Sequence, residues 1–217
     1  MKKVKATILT SSETHPVYPY LVDLRHKVRN KFDLKIETDR NKLNKGDLLI
    51  LVSCHEIIKQ EHRSMFTNTL VLHASDLPAG RGWSPHIWQI LEGKNDITLS
   101  MIEAEDKVDT GDIIKQQKIY FEGTELYEEI NHKIFSEEIN LIEYALTEFG
   151  KFKPFEQKKR IATYYEKRTP KDSEVKPDSK IKDIFNLLRV ADKDRYPVFF
   201  KYKGVKFKLH IEKISDD

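Results

Sequence analysis

Residues 70–86 read Leu70-Val71-Leu72-His73-Ala74-Ser75-Asp76-Leu77-Pro78-Ala79-Gly80-Arg81-Gly82-Trp83-Ser84-Pro85-His86. An aliphatic run ends on a histidine, a loop of small, turn-forming and charged residues follows, and a helical pattern comes next. The stretch predicts a buried strand that delivers His73 at its carboxyl end, where ligands bind in open α/β sheets. Taken alone, His73 indicates no more than a hydrogen-bonded histidine beside an ordinary loop.

A second stretch changes this interpretation. Residues 97–121 read as a strand, a loop containing Val108-Asp109-Thr110-Gly111-Asp112, and another strand. An imidazole and a carboxylate brought to the same crevice form an acid–base pair.

The rest of the chain predicts a Rossmann-like α/β fold with a mostly parallel sheet and flanking helices. Strands are predicted over 4–10, 33–37, 47–54 and 70–73, and helices over 18–31, over 56–66 and after Pro85. Such alternation is typical of parallel sheets. Strands over 97–103 and 113–121 and a helix over 124–149 complete the domain. The first loop lacks the glycine fingerprint of dinucleotide binding, so no nicotinamide cofactor is proposed.

The composition changes after Gly150. Residues 151–180 are rich in Lys, Pro, Asp and Glu, which indicates a linker or an extended segment on the core. A helix over 181–190 and a β-hairpin over 196–211 follow. The predicted division is a main domain over 1–150 and a small C-terminal extension over 151–217.

The bulk composition excludes several classes. The 38 basic and 35 acidic residues give a net charge of only +3, which provides no general argument for nucleic acid or a membrane as partner. The single cysteine, Cys54, excludes an intrachain disulfide and a thiolate-built metal cluster. The apolar run near the first residue is too short for a signal peptide, and no run approaches a transmembrane length. We expect a cytoplasmic protein.

The two stretches together resemble the formyltransferase family that uses N10-formyltetrahydrofolate as formyl donor. The family's marks are Asn-x-His-x-Ser at a strand end, then Leu-Pro-x-x-Arg-Gly, and later Asp-Thr-Gly-Asp-Ile. The matching residues here are His73, Ser75, Leu77-Pro78, Arg81-Gly82 and Asp109-Thr110-Gly111-Asp112-Ile113. The resemblance implies an N-formyltransferase, with His73 and Asp109 as catalytic residues and no metal.

The resemblance also implies positions for the two substrates. Expected contacts to the folate donor are Leu51, Ser53, Arg81, Gly82, Met101, Glu103 and Asp106. Expected contacts to the acceptor are Ser11, Ser12, Ser75, Trp83, Lys167 and Arg168. For Arg81, bracing of its own loop against a carboxylate is favoured over contact with substrate.

Val71 departs from the family pattern, which has Asn two residues before the histidine. Valine has no donor for a developing oxyanion, and loss of one such donor typically costs a factor of about 100 to 1,000 in rate. Ser53, Ser75 or a backbone N–H are the candidate replacements. The alternative is a catalytically weakened domain that binds folate or nucleotide.

The acceptor predicted by the resemblance is the amine of a nucleotide-linked amino deoxy sugar. The stretches 73–85 and 195–200 are most similar to the sugar N-formyltransferases of bacterial surface polysaccharides, such as the O-antigen of lipopolysaccharide. The nucleotide is dTDP, GDP or UDP. A short chain of balanced charge argues against methionyl-tRNA, and a first loop without glycine argues against glycinamide ribonucleotide. Another amine remains an alternative, and a homodimer is expected from the resemblance alone.

Overall fold

The computed structural model describes residues 3–214. In chain order the strands are β1 (Lys5–Leu9), β2 (Asp33–Glu37), β3 (Gly46–Leu51), β4 (Phe66–His73), β5 (Arg81–Gly82), β6 (Asp96–Glu103), β7 (Ile113–Tyr120), β8 (Tyr164–Tyr165), β9 (Val198–Tyr202) and β10 (Val205–Leu209). The helices are α1 (Tyr18–Val28), α2 (Gln60–Arg63), α3 (Pro85–Leu91), α4 (Tyr127–Thr147) and α5 (Ile181–Arg189). None of the helices within 3–214 has the length and apolar character needed to cross a membrane.

Six strands form the central sheet, in the order β2-β1-β3-β4-β6-β7. The neighbours from β2 to β4 run parallel, and β6 runs antiparallel to both β4 and β7. The near-continuous aliphatic run of β3 and the run Leu70-Val71-Leu72 in β4 explain the central place of these strands, because such runs are typical of strands covered on both faces. The predicted Rossmann-like α/β fold, with a mostly parallel sheet, flanking helices and a C-terminal helix and hairpin, is confirmed.

The two faces of the sheet carry different layers. Side chains such as Ile8, Ile50 and Leu72 point into the main core, where α1, α3 and α4 cover them. Alternate residues of the same strands, including Leu51 and Val71, point to the opposite face and form smaller apolar clusters. His73 lies two residues after Val71 and therefore shares this second face.

The helix predicted over 56–66 is wrong in extent, because only α2 is helical. Lys59 is extended and Ile57 is 58% exposed, so the preceding residues form a loop. Phe66 already belongs to β4 and pairs with Gly46 of β3. Pairing with β3 therefore makes Phe66 a strand residue, although the local pattern predicted a helix there.

The C-terminal extension lies against the sheet domain at several points. β8 pairs in parallel with β5, and the N–H of Ile113 donates to Phe155 O. β9 and β10 form an antiparallel hairpin. The division at residue 150 stays a prediction.

A buried ion pair joins α5 to the start of α4. Arg189 is 1% exposed, and it donates to Glu125 O at 2.9 Å and to Oε2 of Glu125 at 3.1 Å. Lys133 and two backbone N–H groups complete the shell of the carboxylate. Burial by itself would raise the pKa of Glu125, but these hydrogen bonds outweigh it and hold the pKa at about 2.

The substitution Glu125→Ala should destabilise the protein strongly. It leaves the Arg189 guanidinium buried without its carboxylate, and breaking a buried pair in this way costs about 3–5 kcal/mol. We expect a loss of this size in the free energy of unfolding by urea denaturation at pH 7. The matched variant Lys133→Ala removes only a partly exposed partner and should cost about 0–1 kcal/mol.

The pH dependence of this difference follows from the direction of the pKa shift. The pKa of Glu125 is lowered on folding, so its stabilisation is present above about 4.5 and is lost as the pH falls toward about 2. The gap between the unchanged protein and Glu125→Ala should narrow across that window. A gap independent of pH would contradict the assigned ion pair.

Candidate functional site

His73 lies at the carboxyl end of β4 and its imidazole is nearly enclosed. The residue is 7% exposed, and Nε2 lies 2.8 Å from Gly80 O. A carbonyl oxygen only accepts, so Nε2 carries the hydrogen of this bond. The loop over 74–82 therefore folds back across the histidine that precedes it.

The carboxylate of Asp109 lies opposite the other ring nitrogen. Its Oδ1 is 3.6 Å from Nδ1 of His73, which is too long for a direct hydrogen bond and becomes an ion pair only when the imidazole is protonated. Its Oδ2 accepts a hydrogen bond of 2.9 Å from the N–H of Gly82. Both side chains are more than nine-tenths buried, so the two residues predicted to be catalytic meet in a site of low dielectric.

The backbone of the Asp109 loop has a special shape. Asp109 has a φ of 56°, in the left-handed region that few non-glycine residues adopt. Gly111 passes so close to β6 that a Cβ there would lie 1.9 Å from Glu103 O. The glycine of the Asp-Thr-Gly-Asp stretch is therefore required by close backbone approach.

Gly82 and Arg81 connect this loop to the C-terminal extension. Gly82 has a φ of 96°, and a Cβ there would meet Tyr165 O at 2.3 Å. Arg81 braces its loop, but its partners are Gln157 Oε1 at 2.7 Å and Tyr164 Oη at 3.2 Å rather than a carboxylate. Its guanidinium is thereby engaged within the protein.

Val71 lies in an apolar row across the sheet. It pairs with Leu51 of β3 and with Ile102 of β6. Among the candidate donors, Ser75 is 1% exposed and its Oγ has no hydrogen-bond partner in the described structure. Ser53 follows β3 with a left-handed φ of 47°.

The residues assigned to the folate donor fall into two groups. Glu103 lies with Asn68 and Thr69 in a shallow groove of about 240 Å³. The pKa of Glu103 is raised, first by burial and then by the negative charges of Asp112 and Glu105. Asp106 is held by Arg63 at 2.6 Å. Met101, in contrast, is fully buried in the main core. Its side chain points away from His73, because it pairs with Leu72 on the opposite face.

Three residues assigned to the acceptor lie in the loops that follow the strands. The Oγ of Ser11 accepts a hydrogen bond of 2.6 Å from the N–H of His55, which ties the loop after β1 to the loop after β3. Ser12 makes a local turn with Thr14. Trp83 packs against the His55 ring, with 5.1 Å between the ring centres. The Nζ of Lys167 lies over the Trp83 indole, 4.8 Å from the ring centre.

A basic groove lies beside these aromatic rings. Its volume is about 520 Å³, and its lining residues are Lys167, Arg168, Thr169, Pro170, Arg195 and Tyr196. Burial, followed by the positive charges of Lys167 and Arg195, lowers the pKa of His55. Burial, Arg195 and His55 lower the pKa of His15 to about 4. Positive charges around the groove therefore add to burial in lowering the pKa of both histidines. Arg195 is itself paired with Asp192.

Sequence reasoning missed the segment 157–165, which we term the strap. Gln157 contacts Arg81 and the Asp109 loop, and Thr163 accepts the N–H of Gly80 through its hydroxyl and that of Arg81 through its carbonyl oxygen. Lys158 and Arg160 bind Asp76; burial would raise the pKa of Asp76, but these two hydrogen bonds outweigh it and lower that pKa. The polar composition predicted either a linker or an extended segment on the core, and these contacts show the second, but the composition gave no sign of the individual partners.

Comparisons with known proteins identify the family to which the chain belongs. A family model described as formyl transferase matches residues 2–146. The methionyl-tRNA formyltransferase of Finegoldia magna is 28% identical over 174 residues, which are 78% of this chain and 55% of that protein. The chain therefore spans about half the length of this curated relative.

Two solved structures share the fold. Methionyl-tRNA formyltransferase from Clostridium thermocellum superposes with a TM-score of 0.83 at 24% identity, covering 98% of this chain and 94% of that one. A likely sugar N-formyltransferase from Mycobacterium tuberculosis gives a TM-score of 0.75 at 17% identity, covering 99% of each chain. With the family model matching about two thirds of its length, the chain belongs to the formyl transferase family.

Proposed function

We propose that the protein transfers a formyl group from N10-formyltetrahydrofolate to the amine of a nucleotide-linked amino deoxy sugar. The observation that carries the proposal is the enclosed pair of His73 and Asp109, 3.6 Å apart at the carboxyl edge of the sheet. A basic groove lies at the same edge. The pair supplies acid–base chemistry and the groove supplies a place for an anionic acceptor.

The donor side of the site fits a flat ring with polar edges. Val71 is only partly covered, so the apolar row with Leu51 and Ile102 is open at one point. Thr69 shares the face of Val71, and its buried Oγ1 has no hydrogen-bond partner among the described residues. Apolar surface flanked by a few polar atoms is typical of cofactor sites. The donor, when bound, supplies the formyl carbon.

His73 and Asp109 manage the proton of the attacking amine. An amine attacks as the neutral base, so a group beside it must take up a proton as the new bond to carbon forms. Because Nε2 of His73 already donates to Gly80 O, the imidazole takes up this proton at Nδ1 and returns it to the folate nitrogen as the bond from that nitrogen to the formyl carbon breaks. The carboxylate of Asp109, beside Nδ1, balances the charge of the imidazolium in between. The N–H of Gly82 fixes the carboxylate during the step.

Ser75 is the strongest candidate to donate the hydrogen bond to the developing oxyanion that Val71 cannot donate. Its hydroxyl is buried, free of other partners and two residues from His73. A preorganised donor in a dry site stabilises developing negative charge on oxygen. Ser53 and a backbone N–H remain the alternatives.

The basic groove supports a phosphate-bearing acceptor. Lys167 makes no ion pair with a carboxylate in the described part of the chain, and the Nε of Arg168 is buried without a partner. Trp83 lies next to Lys167 and offers a stacking surface for a base or a sugar. A nucleoside diphosphate linked to an amino sugar combines the charges and the ring that these residues would bind.

Methionyl-tRNA is a second candidate acceptor, favoured by the similarity to the Finegoldia magna enzyme. A basic groove would also accept an RNA phosphate. The sequence argument against it is the small net charge. A homodimer and a place in surface-polysaccharide synthesis stay predictions.

A formylation assay tests the reaction. The protein is incubated with formyltetrahydrofolate and a panel of dTDP-, GDP- and UDP-linked amino sugars, with methionyl-tRNA and glycinamide ribonucleotide in parallel. We expect turnover of one amino sugar and a loss of about 10²–10⁴-fold in kcat for His73→Asn and for Asp109→Asn. Turnover of methionyl-tRNA alone would replace the proposed acceptor. Donor binding without turnover of any amine would favour a binding module.

The substitution Val71→Asn should raise kcat if the site lacks one oxyanion donor. Because such a donor contributes a factor of about 100–1,000 where geometry is right, we expect a gain of about 10–100-fold in a site not shaped for it. The matched variant Val71→Ala shortens the side chain without adding a donor and should not increase the rate. Equal rates for the two variants would show that position 71 does not face the reacting oxygen.

The substitution Lys167→Met should raise the pKa of His55, because it removes a positive charge that lowers this pKa. Pyrophosphate should also raise it in the unchanged protein, and less so in the variant. NMR titration of the histidine ring signals measures both effects. Lys45→Met, which alters an exposed lysine before β3 at the other edge of the sheet, is the control. A pKa unaffected by pyrophosphate would argue against anion binding in this groove.

A further inference from the structure

We propose that Gln157 is a positioning residue, which sets the carboxylate of Asp109 against His73. Its Nε2 donates to Asp109 O at 2.9 Å and to Gly111 O at 2.9 Å. Its Oε1 accepts from Nη2 of Arg81 at 2.7 Å. One side chain from the strap therefore holds both loops that build the site.

The chemistry of the three contacts requires an amide. Two carbonyl oxygens need two donors, and a guanidinium needs an acceptor. A primary amide carries both donors on nitrogen and the acceptor on oxygen. Every partner of Gln157 thus also fixes which way its amide faces.

These contacts close a ring of interactions around the acidic group. Gln157 holds the backbone of Asp109, and the Asp109 carboxylate accepts the N–H of Gly82. Arg81 is the residue next to Gly82, and its guanidinium returns to Gln157. The carboxylate and its backbone are held from two sides, so neither can shift without breaking a bond in the ring.

The left-handed backbone of Asp109 explains why this support matters. A residue in that conformation persists only where its surroundings determine it. On one side Gly111 is pressed against β6, and on the other Gln157 caps both carbonyl groups. Without Gln157, these carbonyls lose their donor and the loop is free to turn the carboxylate away from His73.

The expected consequence is a loss of rate rather than of donor binding. Within residues 3–214, Gln157 makes no hydrogen bond to His73 or to the residues that line the shallow groove around Glu103, and its partner Arg81 lies outside that groove. Displacement of a reacting group by about 1 Å can cost about 100-fold in rate. We therefore expect Gln157→Met to lower kcat by about 10–100-fold, with the KM for formyltetrahydrofolate changed less than about twofold.

Two variants separate positioning from folding. Gln157→Met removes all three hydrogen bonds. Gln157→Glu keeps the size of the side chain and the oxygen that accepts from Arg81, so the strap should stay in place. It replaces the NH2 group that donates to the carbonyl oxygens of Asp109 and Gly111 with a second acceptor oxygen, so the Asp109 loop should lose its support. We expect a comparable loss of kcat in Gln157→Glu. Lys159→Met, in an exposed neighbour on the strap, is the matched control and should leave kcat unchanged.

A spectroscopic measurement tests the geometry without any acceptor. The chain has only eight glycines, so labelling glycine with ¹⁵N gives a simple amide spectrum. The Gly82 amide, which donates to the carboxylate, and the Gly111 amide should shift in Gln157→Glu but not in Lys159→Met. Unchanged Gly82 and Gly111 signals in Gln157→Glu would overturn the inference, as would an unchanged kcat.

The kcat comparison rests on the proposed function, whereas the glycine spectrum does not. If no amine is turned over by the unchanged protein, the proposed function fails and the spectrum still decides the role of Gln157. If turnover is found and both variants retain it, the positioning role fails alone.

Discussion

The carboxylate of Asp109 is fixed by a backbone N–H that belongs to a different loop, and the organisation of the carboxyl edge depends on this contact. Asp109 follows β6, whereas Gly82 follows the loop after β4. Joining the two loops through a charge-assisted hydrogen bond encloses His73 between them. The enclosure keeps water away from the pair and strengthens its electrostatic interaction.

The sheet makes this arrangement possible because β6 runs antiparallel to β4. The last residue of β6, Glu103, pairs with Leu70, three residues before His73, so the Asp109 loop turns back toward the histidine. Gly111, without a side chain, lets that loop pass against the backbone of β6. The apolar row with Leu51 and Val71 forms the surface beneath the site.

The sequence predicted the parts of this structure that depend on local pattern. Aliphatic runs located the central strands, and the motif residues His73 and Asp109 lie together as the resemblance implied. Met101 was assigned to the donor site without regard to strand alternation, which places its side chain in the core. The helix over 56–66 was overextended because strand pairing to β3 outweighs a local helical pattern. Gln157 was missed because its partners are 46 and 48 residues away for the loop carbonyls, and no local signal marks such contacts.

The position of the strap along the chain has a consequence for synthesis. The sheet strands lie before residue 121, whereas Gln157 and Thr163 come later. Ribosomes add about 5–20 residues per second, so the strands of the sheet are synthesised seconds before the strap. A nascent chain at that stage has its sheet strands but lacks the strap that holds the site. We infer that the reactive pair reaches its final geometry only after residues 157–165 have been translated.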